Sequence, residues 1–112
     1  VGASPFLTVG MGERPSEVFM QLRHEALAEH GRCGNTGTLA EKEGFEVIHR
    51  HRTFGERLEE NHRWGPAFCL KVRNEHDCSW FPGHSAVMMR DALAQAKAEG
   101  KRLYAFFGYA CD

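Results

Sequence analysis

The sequence predicts an α+β domain: a mostly antiparallel sheet with its helices on one face. Three observations carry that reading. Strand-like and helix-like apolar periodicities alternate along the chain. The strand-like runs are short and set off by glycine, proline and asparagine. Residues 37–52 read as a β-hairpin, with Lys42-Glu43-Gly44 as a three-residue turn and Gly44 in the left-handed region. At 112 residues the chain is one domain, 1–112, long enough for a core without disulfide staples.

Taken in order, Phe6, Leu7, Thr8 and Val9 predict the first strand, between Pro5 and Gly10. Pro15 can begin a helix and Gly31 can end it, with Val18, Phe19, Leu22 and Ala26 as the buried stripe. A loop over residues 32–36 leads into the hairpin. The turn sets Glu41 opposite Phe45 and Leu39 opposite Val47. Alternation then puts Leu39, Glu41, Phe45, Val47, His49 and His51 on the core side, and Ile48, Arg50 and Arg52 on the other. Thr53 and Glu56 have capping-box spacing and open a second helix over residues 54–62, broken by Trp64-Gly65-Pro66. Phe68, Leu70 and Val72 alternate with Cys69, Lys71 and Arg73, as in a strand. Residues 74–83 read as an irregular loop. A third helix over residues 85–99 carries Met89, Leu93 and Ala96 inward and stops at Gly100. Residues 103–110 are apolar on both alternations, a strand covered by helices on one side and by a partner subunit on the other. The resulting order is the ferredoxin-like βαββαβ pattern with an appended αβ.

Composition narrows the function classes. Apolar residues at 42% and charged residues at 26% describe a globular chain, not a disordered one. Lys and Arg total 14 against 15 Asp and Glu, so no global field pulls the molecule onto nucleic acid or anionic lipid. No apolar run approaches the roughly 18 residues of a membrane span. Cys33, Cys69, Cys78 and Cys111 form no C-x-x-C pair or zinc-knuckle spacing, so reduced thiols in a cytoplasm are expected, with no cofactor.

Three segments, Gly37-Thr38-Leu39-Ala40-Glu41-Lys42, Trp64-Gly65-Pro66-Ala67 and Phe106-Phe107-Gly108-Tyr109-Ala110, resemble parts of small uncharacterised proteins from bacteria and phage-type mobile DNA. The resemblance covers about a seventh of the chain. It implies a stand-alone small domain and carries no activity.

The candidate site residues come from the hairpin and the loop after the fourth strand. His49 and His51 would share one strand face, close enough to hold a metal with a third ligand from elsewhere; a solvated sheet rim is the alternative, and no metal is assigned. Glu41, facing Phe45 and Leu39, is a candidate general acid or base if buried, or a solvated edge residue. Trp80 offers a pocket wall or a core ring. His84 opens the third helix, where free N–H groups attract anions, as in every helix. Arg50, Arg52, Lys71 and Arg73 would form a basic sheet face, with Tyr104 and Phe106 the available stacking rings. Cys78, two residues from His76, has the elements of an activated thiol, though pairing must be spatial. Together these favour a self-associating domain, a homodimer, that binds a small anionic or polar ligand near Glu41, His49, His51, Trp80 and His84. The alternatives are a hydrolase or isomerase using a Glu/His pair, and a nucleic-acid or protein-binding module using the basic face.

Overall fold

The structure, a computed structural model, describes residues 2–30 and 36–112. The loop expected at 32–36 and the helix stop at Gly31 lie almost wholly outside these residues. The α+β class is borne out. Strand β1 (Ala3–Gly12) leads into helix α1 (Pro15–His30); a 3-10 turn (Leu39–Glu41) precedes β2 (Phe45–Val47). Helix α2 (Phe54–Glu59) joins β2 to β3 (Ala67–Val72); α3 (Glu75–Trp80) and α4 (Gly83–Glu99) follow, and β4 (Arg102–Cys111) closes the series. The sheet order is β1-β4-β3-β2. β1–β4 and β4–β3 are antiparallel, while β2 runs parallel to β3.

The hairpin does not form, so the observed order is βαβαβααβ and the ferredoxin-like pattern is lost. The physical reason lies at Thr38. Its hydroxyl accepts a hydrogen bond from the Ala40 N–H (3.3 Å) and winds residues 39–41 into a 3-10 turn. A capped turn satisfies these backbone groups locally and removes them from any ladder. Gly44 is not left-handed; its carbonyl instead accepts from Ala67 N–H (2.9 Å) and starts the β2–β3 pairing. Parallel strands need a crossover, and α2 supplies it.

The helices lie on both faces of the sheet, not on one. Leu70, Val72, Leu103, Ala105 and Phe107 pack beneath α4 with Met89 and Ala96, and beside Phe81 and Phe54. Ala67, Cys69, Tyr104 and Phe106 pack on the opposite face against Val18, Phe19 and Leu39. The two-sided apolar character of β4 is therefore satisfied within the chain, by α1 and the 3-10 turn, where a partner subunit had been expected. Local signals were read correctly elsewhere. Thr53 Oγ1 accepts from Glu56 N–H while the Glu56 carboxylate accepts from Thr53 N–H, completing the capping box. Gly100 ends α4 at φ 68°, the left-handed conformation that costs glycine nothing. The expected 74–83 loop contains α3, whose N-cap is Asn74: its side-chain oxygen accepts from Asp77 N–H at 3.0 Å.

Candidate functional site

β2 is three residues long, and the chain leaves the sheet directly after it. Ile48 N–H still reaches Cys69 O (2.9 Å), but the side chain turns inward and is 3% exposed, whereas Val47 is 54% exposed. This reverses the inward and outward assignment made for the hairpin. It follows from register: β2 lies beside β3 instead of folding back on residues 37–41, and Ile48 joins the larger core. His49 and His51 are consequently not on a strand; His51 N–H bonds to His49 O (3.1 Å) in a tight bend, and both imidazoles are exposed.

Between this bend and the end of β3 lies a cleft of about 390 Å³. Its walls bring together His49, Arg50 and His51 from one side with Lys71, Arg73 and Asp77 from the other, over a floor of Ile48 and Leu70. The location has a physical basis. β2-α2-β3 is a parallel crossover unit, and in such units ligands lodge beyond the carboxyl ends of the strands. Asp77, buried on α3, holds the cleft's frame: its carboxylate accepts from Arg50 Nε (2.7 Å) and from the backbone N–H of Arg73 (2.7 Å). Arg50 is thus neutralised. Arg52 lies outside the cleft and pairs with Glu60 at 2.8 Å. The side chains of Lys71 and Arg73 make no hydrogen bond or ion pair to the described residues. Two uncompensated cations and two imidazoles therefore face one hollow.

The other candidates are scattered. Glu41 lies at the opposite end of β2, where its carboxylate accepts from Thr36 N–H (3.1 Å) and Thr36 Oγ1 (2.7 Å). It borders a separate hollow with Glu43 and Trp64, apart from the one that His49 and His51 line. Trp80 is a core ring, packed on Phe54, Phe81 and Phe107 at 5.2–5.7 Å, with its indole N–H donated to Arg52 O. His84 is exposed on the first turn of α4, away from the cleft. Tyr104, although paired with Lys71 across the ladder, and Phe106 are buried beneath α1, so neither ring is open for stacking. Cys78 is buried, and burial followed by the charge of Glu75 pushes its thiol up, the reverse of activation. Burial pushes the Cys69 thiol up to about 12. Among the described residues no three His, Cys, Asp or Glu side chains converge on a metal position.

Comparison with known proteins finds no matching family model, no matching curated protein and no matching solved structure. Within the described residues, no helix is long and apolar enough to cross a membrane.

Sequence reasoning missed one polar cluster altogether. Lys42 is 1% exposed, and its Nζ donates to Asn61 Oδ1 (3.1 Å), His62 O (2.8 Å) and Gly65 O (2.9 Å). Asn61 in turn accepts from Tyr109 N–H (2.9 Å) and donates to Pro66 O (2.9 Å). A Cβ at residue 108 would stand 2.2 Å from Asn61 Oδ1, so only glycine admits the contact. Burial pulls the Lys42 ammonium down to about 8, against an opposing pull from nearby Cys111. Segments 37–42, 64–67 and 106–110 all meet here, at Lys42, Gly65 and Pro66, and Gly108 and Tyr109. The cluster braces the loop that carries Trp64; it opens no path to solvent for the amine.

Proposed function

We propose that this domain binds a small anionic ligand, bearing a phosphate or carboxylate, in the cleft at the carboxyl ends of β2 and β3. One observation carries the reading: Lys71 and Arg73, without an ion-pair partner among the described residues, stand beside His49 and His51 in a hollow of about 390 Å³, within the size range of small-molecule sites. Arginine offers an anion a two-pronged contact and lysine a point charge. The partly apolar floor suits a ligand with a hydrocarbon or ring portion. The cleft holds no nucleophile with a paired base, so binding is the chemistry it supports. Cys69, Cys78 and Cys111 are free thiols, which fits a reducing, cytoplasmic setting.

Calorimetry with inorganic phosphate, citrate and a nucleoside monophosphate tests the site. Saturable binding of at least one probe is expected, with a tenfold or greater loss in Lys71→Ala/Arg73→Ala and an unchanged circular dichroism spectrum. Absence of saturable heat with all three, or equal binding by the double variant, refutes the assignment.

A further inference from the structure

We propose that two copies of this chain join through β1, antiparallel and centred on Val9, so that two four-stranded sheets become one continuous sheet. Among the described residues β1 lies at the edge of the sheet, bonded only to β4, and its ten residues carry no charged side chain. Natural edge strands are blunted by charge, shortness, bulges or proline because an open edge templates pairing. The opposite edge, β2, is blunted by its three-residue length. On β1 the only such device is Pro5.

Pro5 also tells which backbone groups look outward. It is paired in register with Tyr109, whose N–H points away from β1 to Asn61 Oδ1 (2.9 Å). Partners in an antiparallel ladder either both face each other or both face away. Pro5 therefore faces outward, where its missing N–H costs nothing, and alternation turns the N–H and C=O groups of Leu7, Val9 and Met11 outward as well. A two-fold axis at Val9 sets Leu7 of one copy against Met11 of the other, every donor meeting an acceptor, and leaves Pro5 beyond the ladder. An axis at Leu7 would instead set Pro5 against Val9 and waste an acceptor.

The side chains agree. Leu7, Val9 and Met11 share the face of the larger core and are only partly buried, while their β4 neighbours Leu103, Ala105 and Phe107 are fully buried. A second copy supplies the missing neighbours. Helix α4 adds to the patch: Arg90 bonds to Glu75 and Ser79 of α3, and at 3.6 residues per turn Met88, 42% exposed, lies on the flank away from α3. An overlap of about seven residues, 6–12, at about 3.3 Å each makes a strip about 23 Å long. With side chains on both faces it buries on the order of 1,000 Å² in total, the threshold for a specific but weak dimer. A two-fold joint of this kind consumes both open edges and closes the assembly.

Sedimentation across low to high micromolar protein, with hydrogen exchange read residue by residue, decides the matter. The wild-type chain of 12.7 kDa is expected to double in mass, and the amides of Leu7, Val9 and Met11 to slow as concentration rises. Val9→Pro removes an outward N–H without touching the β1–β4 ladder and is expected to be a folded monomer. A wild-type monomer at every concentration, a dimer in which those three amides exchange freely, or a folded Val9→Pro dimer overturns the proposal. Should Val9→Pro fail to fold, the wild-type amides decide alone.

Discussion

A lysine at 1% exposure whose ammonium bonds to no carboxylate among the described residues is the least expected feature of this molecule. Its three donors all meet neutral oxygens, so Lys42 works as a rivet between the 3-10 turn and the loop of residues 61–66. Replacing it with methionine takes the Lys42 donor from the part-buried Gly65 carbonyl, while the His62 carbonyl keeps Gly65 N–H and Asn61 Oδ1 keeps Tyr109 N–H; an unmade buried hydrogen bond costs about 1–3 kcal/mol. Lys42→Met is expected to lose about 1–3 kcal/mol in urea unfolding at neutral pH. The pH dependence has a definite sign. The folded-state amine titrates at about 8 against 10.5 for the unfolded chain; between these values the unfolded state holds the extra proton, and stability rises with pH. The wild-type advantage over Lys42→Met is therefore expected to grow from pH 8 towards 10.5, measured by the same unfolding series. Nothing in Lys42-Glu43-Gly44 marks this role, because the acceptors lie some twenty residues away and the tripeptide has the composition of a surface turn. Thr53 and Glu56 were legible for the opposite reason: both partners of their bonds sit within one helical turn.

At the level of elements, the sequence pattern locates strands better than it pairs them. Phe45 and Val47 alternate as a strand should, and that strand exists; its partner is β3, reached through α2, instead of residues 37–41. The two pairings differ in which neighbour reaches Ile48, a distinction that short-range periodicity does not encode. The consequence is measurable. Ile48→Ala is expected to cost about 2–4 kcal/mol by opening a cavity in the larger core, while Val47→Thr stays within about 0.5 kcal/mol. Equal costs in thermal melts would contradict the inward turn of Ile48. The same reassignment explains the fate of the candidate site. His49, His51, Lys71 and Arg73 meet because the chain leaving β2 at Val47 runs past the last residues of β3. Glu41 and Trp80 were tied to them only through the hairpin, and separate with it. Helix α3 was missed although Asn74 and Asp77 stand at cap and third position, a weaker signal than threonine followed by glutamate.

For the whole molecule, near-neutral net charge conceals an uneven distribution. With 14 basic and 15 acidic residues the summed field is slight, so attraction of an anion rests on Lys71 and Arg73 alone. Such short-range attraction between partly exposed charges is screened by salt over about 10 Å at 0.1 M. Phosphate affinity in the cleft is therefore expected to fall steadily with added sodium chloride, while the melting temperature in the same buffers changes little. A binding constant indifferent to salt would place the anion elsewhere. Burial of β4 on both faces was legible, since residues 103–110 are apolar on both alternations; what covers the second face was not, because α1 returns to it from the far end of the sequence. That strand has a further consequence for how the chain comes together. It occupies the middle of the sheet yet is the final strand to be made, and β1 and β3 touch only through it. During synthesis the earlier segments therefore wait with their apolar faces open, and closure depends on contacts spanning almost the full sequence, the slowest kind to form. A nascent chain of this topology needs shelter from aggregation until residues 102–111 slot into place.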